Sequence, residues 1–306
     1  MLVKVLGAAA GGAFPQWNCA CTQCKRMRSG TFAGQPRTQA QVALSEDSLS
    51  WTLLNASPDI RIQIEATPGL WPHGGSLHSP IRSVVLTAAE ADTVAGLLSL
   101  REFQPLDIYA TPSVLRILRA DNSLFGLLER VPRQAVWKKI HPNVEFSIGE
   151  LRFKPFSLPG GFPAYVASDR RAELEPAEAV LGLVIDSPSG KLAYLPGAAQ
   201  VEDSWRNWLD ECDVLLFDGT FWTDDELCRV RGGGKKAVEM GHLPISGPAG
   251  SLAALDGVRC KRKIFFHINN TNPILDESSP ACAEVIAAGW EVARDGMEIQ
   301  IGPQLV

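Results

Sequence analysis

Three cysteines fall within six residues, Cys19-Ala-Cys21-Thr-Gln-Cys24. Thiolates packed this densely suit zinc, which takes four soft or borderline donors in a tetrahedron. Three unrelated core cysteines are the alternative, and the clustering argues against it. A closed, sulfur-rich set leaves no open position for water. The expected role is therefore structural, with the fourth ligand supplied from elsewhere in the chain. Cys212, Cys228, Cys260 and Cys282 are scattered, and the total of seven is odd. A disulfide framework is not expected.

A second set lies at predicted strand ends: Asp92, Asp218, His242 and His267. There are only five histidines, and His73, His78 and His141 sit in Pro/Gly/Ser-rich surroundings that read as surface. A single histidine after an apolar strand is commonly a hydrogen-bonded core residue. Two of them, with Asp218 also ending an apolar run, make a metal or acid/base site an equal contender. Two stretches are dense in hydrogen-bonding side chains: Asn55-Ala-Ser-Pro-Asp59 and His267-Ile-Asn-Asn-Thr-Asn-Pro273. They read either as Asx turns or as the polar floor of a pocket. Gly232-Gly-Gly-Lys-Lys236 lacks the G-x-x-x-x-G-K-[ST] spacing and reads as a mobile loop. No G-x-S-x-G occurs, which argues against a serine hydrolase of the α/β type.

Strands and helices must position these residues, and the pattern alternates between them. Val3–Leu6 reads as a strand entering a loop of small residues. Gln41–Leu44 and Trp51–Asn55 read as a hairpin, followed by a helix over Ile60–Ala66. Strands are predicted at Ser83–Leu86 and Asp107–Ala110, with helices at Ala88–Leu100 and Ser113–Arg119. Strands follow around Gly149, from Glu145 to Leu158. A hairpin joins Val180–Ile185 to Lys191–Leu195, and Val201–Asp210 reads as a helix. Val214–Phe217 and Ile264–His267 read as strands, Cys282–Ala288 as a helix, and Glu291–Ile301 as returning strands. Residues 159–179 read as a surface loop or lid. The implied class is α/β, two mixed sheets covered by helices.

Composition bounds the function. The 306 residues are 45% hydrophobic and 21% charged, which fits a globular chain. Lys+Arg number 29 against 34 Asp+Glu, a net charge of −5, so there is no electrostatic case for a nucleic-acid partner. No apolar run is long enough to span a membrane. The apolar N-terminus carries one early lysine, Lys4, and reads as a buried first strand rather than a signal peptide. The expectation is a cytoplasmic protein forming one domain over residues 1–306.

At these residues the sequence resembles the B proteins of pyrroloquinoline quinone (PQQ) biosynthesis, within the metallo-β-lactamase superfamily. The likeness runs nearly end to end. It is carried by Gly7-Ala-Ala-Ala-Gly-Gly, Pro15-Gln-Trp-Asn-Cys19-Ala-Cys21, Arg37-Thr-Gln39 and Asn55-Ala-Ser-Pro-Asp-Ile-Arg61. It continues through Gly96-Leu-Leu-Ser-Leu-Arg-Glu102, Tyr194-Leu-Pro-Gly197, Phe217-Asp-Gly-Thr220, Asp224-Asp-Glu226, Met240-Gly-His242 and His267-Ile-Asn-Asn-Thr-Asn-Pro-Ile-Leu-Asp276. The resemblance implies a four-layer αββα sandwich, a structural zinc on the three cysteines, and a pocket at the strand ends. It implies an iron-dependent hydroxylase or oxidoreductase acting on a tyrosine-derived PQQ precursor. An older idea for the family is carriage of finished PQQ.

Departures from the family pattern are specific. The superfamily's H-x-H-x-D-H motif falls on Ala88, Glu90, Asp92 and Thr93, so only the aspartate remains. The family normally keeps the Asp-His pair, and Thr93 replaces that histidine with a poor ligand. The later His and Asp ligands of the superfamily fall near Gly197-Ala-Ala, where no ligand side chain is present. Asp92, His242 and His267 are left to hold a pocket metal, iron or another divalent transition ion, with Asp218 orienting a ligand or water. Relatives place a zinc-binding histidine where Asn270 stands. Asn270 is therefore the implied fourth zinc ligand, with His267 the competing choice. The substrate class is a small-molecule or peptide-derived, tyrosine-like compound, or PQQ. A non-catalytic binder and a paralogue in another modified-peptide pathway are the alternatives, and a homodimer is left open. Hydrolysis supported by two metals is disfavoured by the missing ligands.

Overall fold

The computed structural model describes residues 1–73 and 79–302. His78 lies outside them, and His73 and His141 are exposed, as their sequence surroundings imply. The strands of the first half are β1 (Leu2–Gly7), β2 (Gln41–Ser45), β3 (Trp51–Leu54), β4 (Ile81–Val85), β5 (Leu106–Ala110) and β6 (Ala135–Lys139). Those of the second are β7 (Phe146–Ile148), β8 (Leu151–Ser157), β9 (Leu181–Ser187), β10 (Gly190–Leu195), β11 (Val214–Asp218), β12 (Arg262–Phe266) and β13 (Trp290–Val292). The last strand, β14 (Met297–Gln300), returns to the first sheet beside β1.

Each sheet has seven strands, ordered β14-β1-β2-β3-β4-β5-β6 and β13-β12-β11-β10-β9-β8-β7. Both follow one grammar. Pairing is antiparallel from β14 to β3 and from β7 to β10. It is parallel from β3 to β6 and from β10 to β13. Buried side chains sort into three clusters. One lies between the sheets and draws on both, with Val3, Val42 and Val85 meeting Phe153, Tyr194 and Phe266. The other two lie on the outer faces, under the helices. Two sheets with three apolar layers make a four-layer αββα sandwich.

The helices are α1 (Thr22–Arg28), α2 (Ile60–Glu65), α3 (Ala91–Val94), α4 (Pro112–Arg119), α5 (Ser168–Arg171), α6 (Asp203–Arg206), α7 (Glu226–Arg231), α8 (Ser251–Ala254) and α9 (Pro280–Ala287). Two expected helices are shorter than their composition suggests. Ala88–Leu100 divides into an extended loop to Glu90, α3, and a 3₁₀ turn over Ala95–Leu100. Close approach of Gly96 to the α2 entry accounts for this: a β-carbon there would lie 2.1 Å from the Ser57 carbonyl oxygen. Val201–Asp210 likewise reduces to α6 and a 3₁₀ turn over Asn207–Glu211.

Residues 159–179 form more than a surface loop. Val166 and Leu174 are buried in the outer core of the first sheet. The Ser113 amide and hydroxyl donate to the buried Glu178 carboxylate at 2.8 and 2.7 Å. The Tyr165 hydroxyl donates to the Ala89 carbonyl. The apolar residues scattered among the charges of this segment anchor it.

Candidate metal centre and pocket

Ligand-bearing pockets in parallel sheets open at the carboxyl ends of strands. Here β4, β11 and β12 deliver Asp92, Asp218 and His267 to one such end, and the loop after α7 adds His242. Asp92, His242 and His267 line a cavity of about 410 Å³, and Asp218 is buried behind the two histidines. Asp218, His242 and His267 each offer a ligand atom within 4.8 Å of the others.

Hydrogen bonds fix the orientation of both rings. Asp218 is fully buried, and its Oδ2 lies 2.8 Å from His242 Nδ1. Thr220 Oγ1 donates to Asp218 Oδ1 at 2.5 Å and lies 2.9 Å from His267 Nδ1 and 3.1 Å from His242 Nδ1. The two rings stack with centroids 5.4 Å apart. With Nδ1 of each ring engaged on this side, Nε2 is the atom that faces away from Asp218. His267 Nε2 meets Asp92 Oδ2 at 3.4 Å. Asp218 thus stands behind the rings as a carboxylate that orients them, the usual partner of metal-binding histidines. Asp92 stands on the pocket side.

The charges follow from this geometry. Burial alone would lower the His267 pKa, but hydrogen bonds and charge from Asp218 and Asp92 outweigh it and raise it to about 9. Burial opposes ionisation of Asp218, yet the two imidazoles hold it well below the usual carboxylate range. Asp92 is lowered in the same way, against its own burial, chiefly by His267.

Backbone shape also serves the site. His267 and Asn55 both adopt left-handed conformations, φ 59° and 66°, directly after their strands. Side-chain-bearing residues adopt this region rarely, and it marks sites where surrounding contacts hold the chain. Asn55 Oδ1 accepts from the Thr87 amide and hydroxyl at 2.8 and 3.0 Å, and its Nδ2 donates to the Tyr194 hydroxyl at 3.2 Å. That network joins the ends of β3, β4 and β10 as a polar floor. Gly11 leaves room for Asp92, whose Oδ2 would lie 3.1 Å from a β-carbon there. Thr93, by contrast, turns into its own loop, with its hydroxyl 2.8 Å from the Glu90 carbonyl and 3.2 Å from that of Ala88.

The cysteines form a separate cluster at the N-terminal end of α1. Their sulfurs also converge within 4.8 Å, and all are free of disulfides. Cys21 caps the helix, its sulfur accepting from the Cys24 amide at 3.5 Å. The Asn270 side-chain amide stands over all three sulfurs at 3.2, 3.7 and 3.4 Å. These are hydrogen bonds from Nδ2, which cannot ligate a metal; with the amide turned over, Oδ1 would take the fourth corner of a zinc tetrahedron. Burial pushes Cys24 up to about 11. Ionising three sulfurs so close together would call for a cation. It is Asn270, not His267, that faces them. The two centres share one segment, with His267 and Asn270 three residues apart.

Sequence reasoning missed three residues at this end of the sandwich. Thr220 joins Asp218 to both histidines, yet a threonine after Asp-Gly reads only as a turn. Tyr194 reads as a core aromatic. Arg231 is not singled out by the sequence, and it lines the cavity.

Known proteins agree with this architecture. The Beta-lactamase superfamily domain matches residues 50–268. Coenzyme PQQ synthesis protein B of Xanthomonas oryzae pv. oryzae is 43% identical over 302 residues, covering 98% of this chain and 100% of the relative. The protein of that name from Azotobacter vinelandii is 44% identical over 305 residues, again covering 98% and 100%. The crystal structure of Zn²⁺-bound PqqB from Methylobacterium extorquens superposes with a TM-score of 0.92 at 42% identity, covering 98% of this chain and 100% of that one. A diphosphatase of the PhnP family shares the fold, with a TM-score of 0.70 at 19% identity. The chain belongs to the coenzyme PQQ synthesis protein B family of the β-lactamase superfamily.

Proposed function

We propose that the chain acts in PQQ synthesis as a metal-dependent hydroxylase of a tyrosine-derived precursor. The observation that carries this reading is that His242 and His267 converge with Asp218 within 4.8 Å at a cavity that Asp92 also lines, with Thr220 contacting both rings. Two imidazoles and a carboxylate with open positions form the donor set of non-haem iron oxygenases. A divalent transition ion such as iron, when bound there, supplies the redox chemistry toward dioxygen that the side chains lack. The chain's own residues do the rest. Asp218 and Thr220 engage Nδ1 of both rings, so that each Nε2 would be available to hold such an ion. Val180, Phe221 and Leu227 give the cavity an apolar wall for an aromatic ring. Asn55 and Tyr194 give it a polar floor for ring hydroxyls. Cys19, Cys21, Cys24 and Asn270 hold a structural zinc that ties α1 to the segment bearing His267.

The test is turnover of a tyrosine-containing precursor by iron-loaded protein in air, read as a mass gain of one oxygen. His242→Ala abolishes the product while leaving the fold intact. Product formation at the wild-type rate in that variant contradicts the assignment. One observation favours a second reading. Thr93 lines the cavity but its hydroxyl is held by the Glu90 and Ala88 carbonyls, so the pocket lacks the histidine ligand that the family normally keeps. A protein that only binds PQQ or a precursor would retain affinity for it with no pocket metal and no product. Thr93→His would then raise its metal affinity.

A further inference from the structure

Arg231 is the only arginine or lysine lining the His242–His267 cavity among the described residues. It lies at the C-terminal end of α7, followed by Gly232, Gly233 and Gly234, all with positive φ. Of the nearby cations, Arg229 pairs with Asp225 at 3.3 Å and Lys236 with Asp224 at 3.6 Å, and neither these nor Lys235 lines the cavity. Among the described residues the exposed Arg231 guanidinium has no ion pair or side-chain hydrogen bond. The cavity's carboxylates, Glu90 and Asp92, belong to the loop after β4, and Asp92 is engaged with His267.

A second cavity, of about 570 Å³, adjoins the first along α7 and runs past Cys19, Cys21 and Asn270. Leu227 and Arg231 line both. Arg231 therefore borders both the inner pocket and the outer groove. A ligand with its ring against the histidines and its remaining length in the groove passes this guanidinium. A planar fork of donors with no internal acceptor suits a carboxylate, which it can bind through two parallel hydrogen bonds.

We infer that Arg231 recognises a carboxylate of the ligand, so that the site selects aromatic acids over their neutral counterparts. This deepens the reading of the cavity as a binding site for a tyrosine-derived precursor or PQQ, and rests on it. Specificity arises because a neutral ester cannot accept the charged, forked hydrogen bonds.

The test is equilibrium binding of PQQ and of its trimethyl ester to metal-loaded wild type, Arg231→Ala and Arg231→Lys. The wild type binds the acid more tightly than the ester. Arg231→Ala weakens the acid about tenfold, Arg231→Lys weakens it less, and neither changes the ester. Because the side chain holds no internal partner, both variants keep the wild-type melting temperature. Equal affinity of wild type and Arg231→Ala for the acid overturns the inference. So does an equal loss for the ester, or no binding of either compound to the wild type. Failure of the hydroxylase reading is a different result: oxygenated product is absent while the Arg231-dependent preference for the acid persists.

Discussion

His267 cannot hold a proton and a metal ion on the same nitrogen. In the metal-free protein its pKa is raised to about 9, because Asp218 and Asp92 outweigh the effect of burial. At pH 7 the ring is then two units below its pKa, and about one molecule in a hundred has the nitrogen free. An ion bound through His267 displaces that proton. Its apparent affinity should rise about tenfold between pH 7 and pH 8, and level off near pH 9. The perturbation is pH, and the probe is cobalt(II) added to protein whose cysteine site already holds zinc. Calorimetry in two buffers of different ionisation enthalpy reads both affinity and proton release, with about one proton expected at pH 7. The same linkage governs metal-free stability. A pKa raised above the unfolded value of about 6.5 gives a stabilisation fully present below pH 6.5 and lost as pH climbs through about 9. Metal-free protein therefore melts at lower temperature at pH 9 than at pH 6.5, and bound metal narrows the gap. Equal cobalt affinity at pH 7 and pH 8, with no proton released, refutes the reasoning.

Two substitutions probe how the site is held. Gly96→Ala places a β-carbon 2.1 Å from the Ser57 carbonyl oxygen. It should cost about 2 kcal/mol as the Asp92 loop is forced from α2, and an unchanged urea midpoint contradicts that close approach. Thr220→Val removes the hydroxyl that contacts Asp218, His242 and His267. Pocket-metal affinity should fall by about 10- to 100-fold, as for other residues that orient metal-bound histidines, while zinc content stays constant. Undiminished cobalt affinity sinks that role.

Much of this arrangement was legible before the structure. Local pattern located the strands, since Val3–Leu6 and Val214–Phe217 are apolar runs bounded by small or polar residues. The cysteine spacing marked its cluster outright. Asp218 and His267 were visible because each ends an apolar strand. What the pattern misjudged depends on contacts distant in sequence. Ala88–Leu100 has helical composition, yet packing of Gly96 on Ala56 and Ser57 breaks it into shorter turns. Residues 159–179 carry enough charge to read as a loop, yet Val166, Leu174 and Glu178 are buried against the first sheet and α4. The division of labour between Asp92 and Asp218 was also invisible, because it depends on which nitrogen of each ring faces which carboxylate.

The central claim is that this chain holds two different metals at two places. Metal content per chain, measured on protein purified without oxygen and without a metal-affinity column, tests it most directly. The account predicts one zinc plus one equivalent of iron or another transition ion. Cys24→Ser should lose the zinc, whereas His242→Ala should lose the second metal and keep the zinc. One zinc alone in the wild type, unchanged by His242→Ala, would contradict it.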